Sequence, residues 1–383
     1  MAGKVEHRPP FSRRIPSLDG LRALSIALVC LAHFAYSYRA PLRHHAILDY
    51  YAHYGVLIFF LVSGFLITTL LMAERERTGG INLKLFYVRR AYRILPVAYA
   101  YLVVVTIVFH NSLTHGDLAI AYSYTSSYYE SHLPWVLSHL WSLSVEEQFY
   151  LIWPVAMAFS ITLARRFALL AIALAPISHL LLIKFGLRQG APYFFPSVAD
   201  SLAAGCLLAL FQPEFRKYRS FFLWRGFPLL WALTLSIPLL HRYLPIVLRY
   251  WGFPHLAQAS GLLLLTVFNL AMILCIQNSI VAPPRVLNTA VVVWIGALSY
   301  SLYLWQMPFS DPDVRSWATT FPQNLVLALL AAVISFYLVE QPALRIRARR
   351  AWPRYAFELP GATAVALATN VEAPSPSVNG TAA

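Results

Sequence analysis

The chain has 383 residues, of which 59% are hydrophobic and 12% charged, with a formal net charge of +14. An ordinary soluble chain carries about twice that charged fraction, and apolar runs of about 20 residues, each long enough to cross a hydrocarbon core about 30 Å thick, recur along the whole length. A soluble globular protein is therefore excluded. Nucleic acid is excluded as the reason for the positive charge, because the basic residues sit in short segments between the apolar runs.

Residues 1–21 form a polar, basic segment that leads straight into a membrane span, with no cleavable signal peptide. Hydropathy then predicts about ten spans, near 22–38, 55–73, 91–109, 139–163, 167–184, 196–211, 221–240, 256–276, 290–307 and 323–341. The "RR" at Arg165 and Arg166 reads as a tight turn between spans four and five, and span six is short. With the N-terminus inside, 23 of the 30 Lys and Arg fall on the cytoplasmic side, which places both termini there. The expected fold is an all-α polytopic membrane helical bundle, with a transmembrane domain over 22–345. The Ala-, Thr-, Ser- and Pro-rich segment 346–383 reads as a disordered cytoplasmic tail, whose "NGT" at 379–381 would never meet glycosylation machinery. Cys30, Cys206 and Cys275 lie inside apolar runs without metal or disulfide spacing, so no metal is expected.

Within span one, "SLDGLRALSIALVCLAHFAY" places Arg22 and His33 eleven residues apart. At about 100° per residue both side chains share one helix face, about 16 Å apart along the axis. Asp19, one turn before Arg22, either pairs with it or caps the helix. An ionisable side chain inside the membrane is by default a functional candidate; the alternative for His33 is a neutral imidazole bonded to a neighbouring helix. In "LKLFYVRRAYRILP", Arg90 and Arg93 are i, i+3 neighbours at the inner end of span three. Guanidinium forks so spaced suit phosphate, although a positive-inside anchor explains Arg89.

In "SHLWSLSVEEQFYLIWP", Glu146 and Glu147 stand near the outer start of span four, with His139 on the face of Glu146. Carboxylates there are costly unless paired; one would orient His33 or bind an acceptor hydroxyl, or simply favour a helix N-terminus. Ser63-Gly64 in mid-span reads as a helix-packing site. "SYSLYLWQMP" at 299–308 is either an interfacial aromatic belt or a sugar-facing wall. Glu340 ends the last span within reach of a basic residue. The histidines His44, His45 and His53 read as solvated loop residues.

Together these stretches resemble the acyltransferase-3 family of integral membrane O-acyltransferases, which includes O-acetyltransferases of O-antigen, exopolysaccharide and peptidoglycan. "LDGLRA" with Arg22 and His33, the Arg90–Arg93 pair, "GFLI" at 64–67, "SLSVEEQFY" at 142–150, "SYSLYLW" and "EQP" occur in the family's order over about residues 14–345. Singly weak, in this order they are specific. The family often has His where this chain has Gln306, and a glutamine cannot take a proton at neutral pH.

The resemblance implies acyl-CoA as co-substrate with no bound cofactor. Acetyl-CoA would be held at the cytoplasmic side by Arg22, Arg90 and Arg93. It implies transfer to a hydroxyl of a cell-surface glycan or its precursor, with His33 as base or nucleophile and Glu146 as a second catalytic group. Asp19, Glu147 and Tyr150 stand as supporting residues. A partner protein would supply any extracytoplasmic transfer domain that transfer needs, and a bacterial inner (plasma) membrane is the implied location. The alternatives are acylation of a small molecule such as a macrolide, and a proton-coupled transporter or flippase. The latter would tend to show inverted repeats.

Overall fold

The computed structural model describes residues 15–41, 45–129, 132–185 and 195–349. Among them there is no strand, and fifteen α-helices follow in chain order. They are α1 (Pro16–Ala35), α2 (Ile47–Thr78), α3 (Leu83–Val108), α4 (His115–Tyr122), α5 (Trp135–Ser138), α6 (Leu140–Phe159), α7 (Ile161–Lys184) and α8 (Phe195–Leu210). After them come α9 (Gln212–Lys217), α10 (Arg219–Phe222), α11 (Phe227–Tyr250), α12 (Pro254–Val281), α13 (Ala290–Trp305), α14 (Gln323–Ser335) and α15 (Gln341–Arg349). A π-helical turn, Phe336–Glu340, joins the last two.

The chain is an integral, multi-pass membrane protein. Among the described residues seven helices are long and apolar enough to cross a bilayer: α1, α2, α3, α7, α11, α12 and the run from α14 through α15. The other three predicted spans are also helices but fall short of that measure. α8 and α13 have 16 residues each, and α6 carries Glu146, Glu147 and Gln148 near its centre. The tail from 350 onward, with its "NGT", and residues 1–14 and 42–44 lie outside the described residues.

Several boundaries differ from the hydropathy reading, each for a local reason. α1 begins at Pro16, whose fixed φ suits a first turn. Its N-cap, Ile15, makes no side-chain cap bond, and Asp19 lies buried within the first turn. The turn expected at Arg165-Arg166 falls instead at Ser160, an extended residue whose hydroxyl accepts from Thr162 N at 3.2 Å. The two arginines ride on α7, where Arg165 donates to the Leu210 carbonyl at 3.2 Å and lies over the Phe211 ring. α2 runs for 32 residues, about 48 Å at the usual rise. Its N-terminal end therefore extends beyond the predicted span and includes Asp49 and His53. Gly79, at φ 78°, ends it, and Asn82 Oδ1 accepts from Leu85 N at 2.9 Å to open α3. This short reversal sets Arg89, Arg90 and Arg93 on the first turns of α3.

The segment after α3 is not a plain loop. α4 folds back along α3, with Tyr122 stacked on Tyr99 at 5.9 Å, and Tyr124 turns edge-on to Tyr99 at 6.3 Å. A 3₁₀ turn follows and buries Ser126 and Ser127 beside α6.

The bundle has a dense centre and a lipid-facing rim. The apolar stretch of α2 is 72% buried, whereas those of α7 and α11 are 17% buried and present rows of leucine outward. α1 packs between α2 and α13, and α8 between α2 and α7. In lipid the hydrophobic effect does not drive helices together, so close backbone approach matters. At Gly64 and Gly205 an added methyl would collide with the carbonyls of Leu202 and Leu61, respectively. Gly64 is thus the packing residue its mid-span position suggested.

Candidate functional site

Two helices carry parallel stripes of chemistry. On α1, Arg22, Ile26, Val29 and His33 share a face; on α6 and its N-cap, His139, Ser142 and Glu146 do so. The stripes run in opposite chain directions. Arg22 and Glu146 interact electrostatically at one end, and His33 and His139 at the other.

The first end gathers the arginines. Arg93 Nη1 donates to Glu340 Oε1 at 2.7 Å, and the buried Glu340 carboxylate also accepts from Ser301 Oγ at 2.9 Å. The π-turn places Glu340 there; such turns insert one residue and re-aim a side chain, often at functional sites. Arg90 lies 3.7 Å from Glu146 and sits over the Tyr150 ring at 3.8 Å from its centroid. Arg22 feels both Asp19 and the like charge of Arg93. Arg89 pairs loosely with Glu74, 3.9 Å away. Glu147, Tyr124 and Tyr300 lie within electrostatic range of Arg90 or of one another. Glu147 Oε1, Tyr124 Oη, Tyr150 Oη and Arg90 Nε are buried without a hydrogen-bond partner. Guanidinium forks such as those of Arg90, paired only loosely with Glu146, and of Arg93, tied to Glu340, suit the planar oxygens of a phosphate.

The second end is a cavity of about 220 Å³. His33, His53 and His139 line it, together with Asp49, Trp135 and Tyr303. The His33 ring meets Trp135 edge-on at 5.7 Å, and Trp135 in turn meets Tyr36 at 5.7 Å. Tyr36 Oη donates to the Asp49 carboxylate at 2.6 Å, joining α1 to α2 at this mouth. Burial raises the Tyr36 hydroxyl above its usual range, and the Asp49 bond and charge add to the rise. His33 Nδ1, both ring nitrogens of His139 and both amide atoms of Gln306 are buried without a partner. Gln306 interacts with the His33 imidazole, but outside hydrogen-bond geometry. The cavity is smaller than pockets that enclose a drug-sized ligand, so it admits a ring or a chain end and not a whole nucleotide.

Among the described residues no arginine lines the cavity. Between the two ends stand the fully buried Ile26 and the Ser142–Tyr303 hydroxyl pair, 2.6 Å apart. The ends are aligned along common helix faces, with these buried side chains between them.

The structure therefore brings together Arg22, Arg90, Arg93, Asp19, Glu146, Glu147 and Tyr150, and it sets His33 apart. Glu146 stands near Arg90 and not beside His33, because seven residues of α6 carry it about 10 Å along the helix from His139. His53, read as a solvated loop residue, lies on α2 and lines the cavity. His45 is exposed. Sequence reasoning noted His139 only as a neighbour of Glu146 and passed over Trp135, Asp49 and Tyr36. The spacing of Trp135 to His139 and of Asp49 to His53, both i, i+4, was the available signal. Among the described residues no group of His, Cys, Asp and Glu has the arrangement to hold a metal ion.

Comparison with known proteins agrees with the order of motifs. The family model described as an acyltransferase domain, of the acyltransferase-3 family, matches residues 15–340. The chain is similar to peptidoglycan O-acetyltransferase OatA of Listeria monocytogenes, at 30% identity over 86% of this chain and 55% of that protein. It is similar at 27% identity to YrhL of Bacillus subtilis, provisionally named a peptidoglycan O-acetyltransferase, over 92% of this chain and 58% of that protein. The chain thus spans little more than half the length of these relatives. No solved structure matches it. With a match over most of its described helices, the chain belongs to the acyltransferase-3 family.

Proposed function

We propose that this chain is a membrane O-acyltransferase of the bacterial inner membrane. It moves an acyl group, acetyl in the simplest case, from cytoplasmic acyl-CoA to a hydroxyl of a cell-envelope glycan such as peptidoglycan. The observation that carries this reading is the two-ended stripe: an arginine cluster around Arg22, Arg90 and Arg93, and a histidine-lined cavity about 16 Å further along the same face of α1.

The arginine end receives the phosphates of the donor. That it faces the cytoplasm is supported by the 23 of 30 basic residues that fall on that side of the predicted spans. The thin acyl-bearing arm of the donor reaches past the Ser142–Tyr303 layer when that pair parts, and delivers the thioester to the cavity. There His33 acts as base on the acceptor hydroxyl, or carries the acyl group transiently. Either route requires an imidazole nitrogen not already spent on a structural bond, and His33 Nδ1 is such a nitrogen. Glu146 and Glu147 hold Arg90 in place for the donor, with Asp19 doing the same for Arg22 and Tyr150 stacking under Arg90. The names of the relatives point to peptidoglycan. Where transfer needs an extracytoplasmic domain, a partner protein would supply it.

The test is mass spectrometry of envelope glycans from cells with the wild-type chain, without it, and with His33→Ala at equal membrane abundance. Acetyl mass increments are expected only with the wild type. Acetylated glycan persisting with His33→Ala refutes the role of His33, and glycans unchanged by the chain refute the glycan acceptor.

A further inference from the structure

The cavity contains a second imidazole with the attributes of a reactive one. His139 is 3% exposed, lines the cavity, and has no partner on either ring nitrogen. A histidine buried for packing normally satisfies at least one nitrogen, because an unmade bond forfeits the solvation of that atom. The surroundings fix this ring without using its nitrogens. Tyr101 meets it edge-on at 5.5 Å and Tyr303 lies tilted at 5.3 Å. Both tyrosine hydroxyls are engaged elsewhere, Tyr101 on the Val136 carbonyl and Tyr303 on the His139 carbonyl and Ser142.

The two histidines also sit at different sides of the cavity. His33 adjoins Trp135, which leads through Tyr36 and Asp49 to the mouth. His139 adjoins the Ser142–Tyr303 pair, its carbonyl accepting from both hydroxyls, one turn of α6 before the stripe continues to Glu146. A donor arm arriving from the arginine end brings its sulfur to His139 first, and an acceptor entering at the mouth meets His33 first.

We propose that His139 is the general acid that protonates the departing thiolate, while His33 is the base that takes the proton of the acceptor hydroxyl. The inference rests on the acyl-transfer reading above and divides its proton traffic between two residues. The acceptor oxygen attacks the thioester carbonyl carbon, a C–O bond forms, and its proton passes to neutral His33. As the C–S bond breaks, the sulfur takes a proton from the imidazolium of His139. Return of the proton from His33 to His139 resets the pair, so one proton moves from hydroxyl to thiol and no further reactant is needed. The titratable groups facing His139 are His33 from α1, Tyr36 just beyond it, Asp49 and His53 from α2, Tyr101 from α3 and Tyr303 from α13.

The test compares two donors on the full-length chain in detergent micelles, with isolated peptidoglycan glycan strands as acceptor. Acetyl-CoA has an alkylthiol leaving group that needs a proton; S-acetyl-4-nitrothiophenol releases a stable thiolate that does not. His139→Gln is expected to lower turnover with acetyl-CoA about 100-fold and to leave the aryl thioester within about threefold of the wild type. His33→Gln is expected to impair both donors. The alkaline limb of the acetyl-CoA pH–rate profile, which reports the acid, is expected to vanish in His139→Gln and the acidic limb to stay. An equal loss with both donors, or both limbs retained, overturns the proposal and makes His139 structural; so does undiminished turnover of acetyl-CoA. Should His139→Gln not fold, His139→Ala with added imidazole decides: recovery supports the acid role and its absence overturns it. A wild-type chain that acetylates nothing from either donor overturns the transfer reading as well.

Discussion

Replacing Glu340 tests the tie that holds the arginine end together. Its carboxylate is 1% exposed and bridges Arg93 on α3, at 2.7 Å, and Ser301 on α13, at 2.9 Å. At an effective dielectric near 20, opposite charges 2.7 Å apart attract by about 6 kcal/mol. Desolvating the two ions costs several kcal/mol and offsets most of that. Removing one member of a buried pair costs about 3–5 kcal/mol. Arg93 keeps a quarter of its side chain accessible, so Glu340→Gln is expected at or just below the lower limit, about 2–3 kcal/mol. The assay is an unfolding titration with SDS in mixed micelles, run as a double-mutant cycle with Arg93→Met. The expected coupling is about 2 kcal/mol. A coupling below about 0.5 kcal/mol would place the pair among solvent-screened contacts and refute the argument that the π-turn at 336–340 serves to position Glu340.

Three further outcomes follow from named contacts. Gly64→Val forces α2 away from the Leu202 carbonyl and should cost about 1–3 kcal/mol or more; an unchanged unfolding midpoint would show that the two helices are not in close backbone contact. Arg90→Lys loses both the planar fork and the stack on Tyr150, so the KM for acyl-CoA should rise about tenfold, worth about 1.4 kcal/mol. Arg89→Lys, on the positive-inside anchor, should leave that KM unchanged, and equal effects at both positions would make the cluster a nonspecific positive patch. Tyr36→Phe removes the bond to Asp49 at the mouth and should cost about 1.5 kcal/mol while raising the acceptor KM and sparing that of the donor; a donor-side effect would argue against an acceptor entry there.

Much of the architecture was legible because a bilayer leaves so few options: each predicted span lies on a helix, and the Arg22–His33 stripe needs only the helical period. The Arg90–Arg93 pair and the packing role of Gly64 were equally local. Periodicity fixes a face, however, and not a depth or a partner. Glu146 and His139 share a face of α6, yet one joins Arg90 and the other His33, because the helix descends between them. His53 was misjudged because hydropathy truncated α2 before its polar N-terminal turns, which line a cavity. The break at Ser160 was hidden by two arginines that look like a turn and instead reach back from α7 to the Leu210 carbonyl. The fold-back of α4 along α3 depends on the Tyr99–Tyr122 stack, a tertiary contact that no apolar run announces.

The account turns on a division of labour along one face of α1, with donor binding at Arg22 and chemistry at His33. Its most direct test is to measure desulfo-CoA binding and single-turnover acetyl transfer on the same preparations of His33→Ala and Arg22→Ala. The account predicts that His33→Ala binds the analogue like the wild type and transfers nothing, while Arg22→Ala binds at least tenfold more weakly. Full transfer by His33→Ala, or undiminished binding by Arg22→Ala, would contradict it.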